Sequence, residues 1–182
     1  YNVLVPNAQG MFDFYKTISE KVQLPIIIYN VIPQNTIYPD LFHRLLNKTE
    51  YVMGIKQSVG GIQALYADIN EVGSQGRTYA ATDEMIYSCF DLGASGAISA
   101  ILSVFPKESV EMWNCARNGN HARGLEIQQS LYKKWMVLGG NQFPIRMKYA
   151  LKCLGRDCGE CRSPITYLPE EEKEAIRKAF TE

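Results

Sequence analysis

The order of the short apolar runs restricts the fold more than any other feature of the chain. Ile26 to Ile28, Tyr51 to Lys56, Tyr79 to Thr82 and Gly96 to Ile101 read as strands. Stretches with apolar residues at helical spacing alternate with them: Met11 to Val22, Pro39 to Leu46, Ile62 to Val72 and Met85 to Leu92. Parallel neighbours need a crossover, usually a helix, so this alternation predicts an α/β fold around a parallel sheet. The three isoleucines are continuous rather than alternating, the pattern of a strand covered on both faces. After Ile101 the strands stop. Lys107 to Gly119, His121 to Leu138, Phe143 to Leu154 and Pro169 to Phe180 carry helical spacing, and the polar linker Gly155 to Pro164 is the clearest break.

Charge and hydropathy exclude whole classes of partner. The 182 residues hold 19 Lys and Arg against 19 Asp and Glu, without the basic surplus or stripe that phosphate neutralisation needs. The longest apolar runs, Leu24 to Ile28 and Ala97 to Phe105, fall far short of the roughly 20 residues of a spanning helix. Neither nucleic acid nor membrane is expected as a partner. Five cysteines are an odd number, and Cys89 and Cys115 sit in helical stretches, which favours a reducing cytoplasm over a disulfide-stapled secreted module. The chain enters an apolar run at Tyr1 without a Met, which we read as a truncation.

In parallel α/β folds the functional groups gather at the carboxyl ends of the strands. Those ends deliver Tyr29-Asn30, then Lys56, then Thr82-Asp83-Glu84, then Ser99. A lysine closing the run Val52-Met53-Gly54-Ile55 would have its ammonium partly desolvated, which favours the neutral, nucleophilic amine that Schiff-base chemistry requires. The plainer alternative is a strand-end lysine reaching solvent, and a tyrosine after three isoleucines is as readily a core residue. Together at one sheet end, Lys56 and Tyr29 supply a nucleophile and a proton-moving hydroxyl, the minimum for carbonyl chemistry through an imine.

Four segments taken in order, Leu24-Pro25-Ile26-Ile27-Ile28-Tyr29-Asn30-Val31, Gly54-Ile55-Lys56-Gln57-Ser58, Gly93-Ala94-Ser95-Gly96-Ala97-Ile98-Ser99 and Phe143-Pro144-Ile145-Arg146-Met147-Lys148, resemble the dihydrodipicolinate synthase and N-acetylneuraminate lyase family of class I aldolases. The resemblance runs from about Pro6 to the tail segments Arg162-Ser163-Pro164 and Leu168-Pro169-Glu170-Glu171-Glu172. It implies a TIM (β/α)8 barrel with a C-terminal helical extension, of which this chain holds the second half: strands five to eight within residues 1–105, then a remaining barrel helix and the extension in 106–182. It also implies Lys56 as the Schiff-base lysine and Tyr29 as the proton relay, with Thr36, Thr82, Asp83, Glu84 and Ile98 in the substrate site. The substrates implied are pyruvate or a related 2-oxo acid and an aldehyde or sugar acid. No metal or organic cofactor is required, and a homotetramer or homodimer is expected. The loop that holds the 2-oxo acid's carboxylate would lie in the other half of the barrel.

Several positions depart from the family pattern. Synthases of the lysine precursor carry an arginine after the fifth strand, where this chain offers Asn35 in Ile32-Pro33-Gln34-Asn35-Thr36. Asp83-Glu84 resembles the acidic pair with which lyases bind sugar hydroxyls; alternatively Asp83 caps the helix starting near Met85. Tyr1-Asn2 does not match the family's tyrosine pair without a gap. A sugar-acid dehydratase using the same imine and a catalytically silent binding subunit therefore stay open beside the aldolase. Cys153, Cys158 and Cys161 follow a C-x4-C-x2-C spacing that overlaps metal and redox patterns but offers no later fourth ligand. His43 and His121 read as solvated.

Overall fold

The computed structural model describes residues 5–181, so Tyr1-Asn2 lies outside the described residues. They form two compact units. The first runs to Thr82 and resumes over Ser88–Ile98; the second takes Asp83–Tyr87 and the chain from Ser99 onward.

In the first unit helix α1 (Ala8–Val22) starts where Asn7 accepts the Gly10 amide at 2.8 Å, earlier than the apolar period at Met11 suggests. It ends at Gln23, whose left-handed backbone (φ 53°) returns its N–H to the Ser19 carbonyl. Then follow β1 (Ile26–Asn30), α2 (Pro39–Lys48), β2 (Val52–Gln57), α3 (Gly61–Val72) and β3 (Arg77–Ala80). The chain then passes through a 3-10 turn over Asp83–Met85, which belongs to the second unit, into α4 (Ile86–Asp91), rejoins the first unit from Ser88, and adds β4 (Gly96–Ala97) to the sheet. The sheet is wholly parallel in the order β1-β2-β3-β4.

One face of this sheet carries the core. Ile28, Val52 and Ile55 pack with Phe12 of α1, Leu41, Phe42 and Leu45 of α2, and Val72 of α3. The other face is open: Ile27 and Tyr29 are exposed while Ile28 and Asn30 are buried, and half-buried Lys56 stands between buried Ile55 and Gln57. The triple isoleucine, expected to be covered on both sides, is covered on one, and the period of two reappears in burial rather than in residue type. β2 and β3 approach closely where Gly54 faces Arg77; a Cβ there would stand 2.6 Å from the Arg77 carbonyl oxygen. Glycine is required for the pairing.

Two strand expectations need correction. The third strand lies over Arg77–Ala80 rather than Tyr79 to Thr82, because its partner β2 sets the register Lys56 to Tyr79 and ends at Gln57 opposite Ala80. The fourth is two residues long rather than six, because its ladder on β3 runs out at Ala80, whose carbonyl accepts the Ile98 amide at 2.9 Å.

In the second unit α5 (Ile101–Val104), α6 (Pro106–Asn118), α7 (His121–Leu138), α8 (Phe143–Cys153) and α9 (Glu170–Thr181) follow. Met112, Ile127, Leu131, Leu138, Ile145, Ala150 and Ile176 are buried. Two cations order the linker: Arg156 donates to the carbonyls of Ser103 and Val104, and Lys148 Nζ to those of Cys158, Gly159 and Glu160 at 3.1, 3.3 and 3.1 Å. Cys115, Cys153, Cys158 and Cys161 are free thiols, Cys153 and Cys158 exposed, and Cys89 is buried. Among the described residues, no group of three His, Cys, Asp or Glu side chains could hold a metal ion, and no helix is long and apolar enough to cross a membrane.

Candidate active site

Parallel strands bring their carboxyl ends to one edge of the sheet, and register does the rest. Tyr29 of β1 pairs with Lys56 of β2, and Lys56 pairs in turn with Tyr79 of β3. Three side chains thus form one row on the open face. Lys56 Nζ stands 3.7 Å from the centroid of the Tyr29 ring, where the negative ring face attracts the ammonium. Tyr29 remains 55% exposed, so the pair is open to a small molecule from the uncovered side.

Behind the row, facing the core, the next residue of β1 and of β2 is polar, while that of β3 is the buried Ala80. Asn30 and Gln57 are register partners, each 2% exposed, and hydrogen-bonded from Asn30 Nδ2 to Gln57 Oε1 at 2.8 Å. Asn30 also grips the backbone of Ile37 in both directions, donating from Nδ2 to its carbonyl at 2.9 Å and accepting its amide at Oδ1 at 3.0 Å. Gln57 Nε2 donates to the Val59 carbonyl at 2.6 Å, and the Asn30 carbonyl accepts the amides of Ser58 and Val59. Sequence reading placed Asn30 at the sheet's end without a role and passed over Gln57. The signal was present: both occupy the position one residue beyond the candidate pair, on the face that alternation turns inward.

The other candidates are placed as follows. Thr36 closes the loop after β1 by donating from its hydroxyl to the Pro33 carbonyl at 2.9 Å. Thr82 is half-buried beyond β3 and Ile98 exposed beyond β4, both at the sheet's carboxyl edge. Asp83 and Glu84 belong to the second unit. Asp83 is 8% exposed; its Oδ1 accepts the Ile101 amide at 2.7 Å and the Ser99 hydroxyl. It therefore holds the turn into α5 rather than capping the helix at Met85. Burial pushes its carboxyl up, against the opposing hydrogen bonds from Ser99 and Ile101. Glu84 is exposed, and its carbonyl accepts Gln128 Nε2 at 3.0 Å. The histidines are not simply solvated: His43 lies 3.1 Å from Gln75 Oε1 and 3.4 Å from Glu71, and His121 Nδ1 is 2.8 Å from the Tyr87 hydroxyl.

Comparison with known proteins shows the family and the fold. The model of the dihydrodipicolinate synthetase family matches residues 3–182. The 4-hydroxy-tetrahydrodipicolinate synthases of Brachyspira hyodysenteriae and Enterococcus faecalis are 31% and 32% identical over 174 residues, covering 94% of this chain and 58% and 60% of those proteins. Among solved structures, dihydrodipicolinate synthase from Aquifex aeolicus superposes with a TM-score of 0.88 at 29% identity, over 100% of this chain and 62% of that one. The chloride-inhibited enzyme from Acinetobacter baumannii, complexed with pyruvate, gives the same TM-score, identity and coverage. The chain spans less than two thirds of the length of these relatives, and throughout that span it belongs to the dihydrodipicolinate synthetase family.

Proposed function

We propose that this chain carries the nucleophile of a class I aldolase acting on pyruvate or a related 2-oxo acid, with Lys56 forming the imine and Tyr29 moving protons. The observation that carries the reading is the cross-strand pair itself, with Lys56 Nζ over the Tyr29 ring at the carboxyl edge of a parallel sheet. The similar Acinetobacter enzyme crystallised with pyruvate supports the substrate class. In this reading β1 to β4 are strands five to eight of a (β/α)8 barrel within residues 1–105, and residues 106–182 hold the remaining barrel helix and the extension. The open face with Ile27 and Tyr29 exposed supports it, since parallel sheets are ordinarily covered on both faces.

The Lys56 amine attacks C2 of the 2-oxo acid, and the carbinolamine loses water to give a protonated imine. Loss of a C3 proton places the electron pair in an enamine, which adds to an aldehyde carbon; water then hydrolyses the product imine and frees Lys56. The protonated imine is the electron sink, so no metal or organic cofactor enters the scheme. The Tyr29 ring lies against Nζ, and in this reading its hydroxyl passes protons to and from the carbinolamine. Thr36, Thr82 and Ile98 line the carboxyl edge as substrate contacts. In the second unit Asp83 is already occupied by Ser99 and Ile101, which leaves Glu84 as the exposed carboxylate of the acidic pair. A cytoplasmic location and a homodimer or homotetramer complete the proposal, and light scattering checks the assembly.

Borohydride trapping with pyruvate, followed by peptide mass measurement, tests the reading. A pyruvyl adduct is expected on the peptide holding Lys56 and none in Lys56→Arg, while Tyr29→Phe slows adduct formation by about 10²-fold or more. The assay is run on the 182-residue chain alone and supplied with the first four strands of the Aquifex enzyme. No adduct in either form sinks the proposal.

A further inference from the structure

The geometry points to Asn30 as the positioning residue that sets Tyr29 against Lys56. This rests on the function proposed above and adds a residue to it. Asn30 follows Tyr29 directly, and its register partner Gln57 follows Lys56 directly. A strand cannot rotate one side chain without rotating the next, so whatever fixes Asn30 and Gln57 behind the sheet fixes the two reactive side chains in front.

Every polar atom of the Asn30 side chain is used. Nδ2 donates to Gln57 Oε1 and the Ile37 carbonyl, and Oδ1 accepts the Ile37 amide. Gln57 passes the constraint to Val59. One buried amide thereby ties together the end of β1, the end of β2, the turn after β2, and the loop whose Thr36 precedes Ile37. At 2% exposure each, these groups cost free energy unless fully bonded, and a fully bonded buried network holds a single arrangement. Aspartate is nearly isosteric but would set a carboxylate against two acceptors, Gln57 Oε1 and the Ile37 carbonyl. Only an amide has one acceptor and two donors in that order.

The test compares Asn30→Ala and Asn30→Asp with Ser19→Ala, a control in the same unit. Ser19 is buried and accepts the Tyr51 amide at 3.1 Å, away from the pair. Two readouts are taken at temperatures scaled to each variant's Tm. The first is the ring-current shift of the Lys56 ε-methylene, from carbon-13-labelled lysine assigned with Lys56→Arg, which depends on Tyr29 lying over Nζ and not on any reaction. The second is the rate of pyruvyl trapping at saturating pyruvate. Both Asn30 variants are expected to lose the shift and to slow trapping by about ten- to a hundred-fold, the scale of a misplacement near 1 Å; Ser19→Ala keeps both. Retention of the shift in both Asn30 variants, or its equal loss in Ser19→Ala, overturns the inference. A wild-type shift with no adduct overturns the proposed function alone and leaves the positioning role to be decided by the shift.

Discussion

Asp68 sits on the inward side of α3 with Leu65 and Val72, 1% exposed, and its Oδ2 meets no hydrogen-bond partner. Burial pushes its carboxyl from 3.8 up to about 7, since the apolar surroundings tolerate the protonated acid better than the anion. The folded-state value lies above the ordinary one, so the native state holds a proton that the unfolded chain releases. Stability is fully present below about 3.8, falls as pH rises, and has lost this contribution above about 7. Asp68→Asn should raise the unfolding free energy measured by urea titration at pH 8, by on the order of a few kcal/mol, and leave it nearly unchanged at pH 4; equal effects at both pH values would sink the assignment. The placement of Lys56 and Tyr29 side by side at the carboxyl end of the sheet was legible in the sequence because polar groups that close apolar strands are conspicuous. Asp68 was not, since an acid within a helical period reads as part of the wet face. Nor could the sequence show that Asp83 is spent on Ser99 and Ile101, a bond across 16 and 18 positions.

Helices were legible almost to the residue where a cap or a proline marks their ends, as at Pro39 and Pro106, and His121–Leu138 stands as read. The short strands were not, because the length of a ladder belongs to the neighbour as much as to the strand. Long-range packing explains another silent position. Gly124 of α7 lies against Tyr87, and a Cβ there would fall 2.0 Å from the ring. Tyr87 donates its amide to Gln128 Oε1 at 2.8 Å and meets His121 through its hydroxyl, so α7 grips the Asp83–Tyr87 segment at three successive turns. Gly124→Ala should therefore cost roughly 1–3 kcal/mol, or more if the ring cannot move. Calorimetry on Gly124→Ala, Tyr87→Leu and the double variant checks it: the double should lose clearly less than the sum. Strict additivity would mean that the close approach is harmless.

For the molecule as a whole, the telling feature is a parallel sheet whose uncovered face carries Lys56 and Tyr29, the proposed reactive pair. Ile27, Met53 and Ile98 are exposed in company with Tyr29, so apolar side chains share the exposed surface with the proposed reactive pair. The chain on its own should bind a fluorescent hydrophobic dye and associate as its concentration rises, and both effects should fall when the first four strands of a relative are supplied. A chain that stays dye-free and monomeric alone would remove the need for a covering half. The family was legible because ordered short segments survive in the sequence, whereas no segment states what lies opposite them. If the covering surface comes from elsewhere, nucleophile and selectivity reside on separable pieces. Exchanging that surface between relatives would then change which carbonyl compound is accepted while the same amine, against the same ring, goes on making the bond.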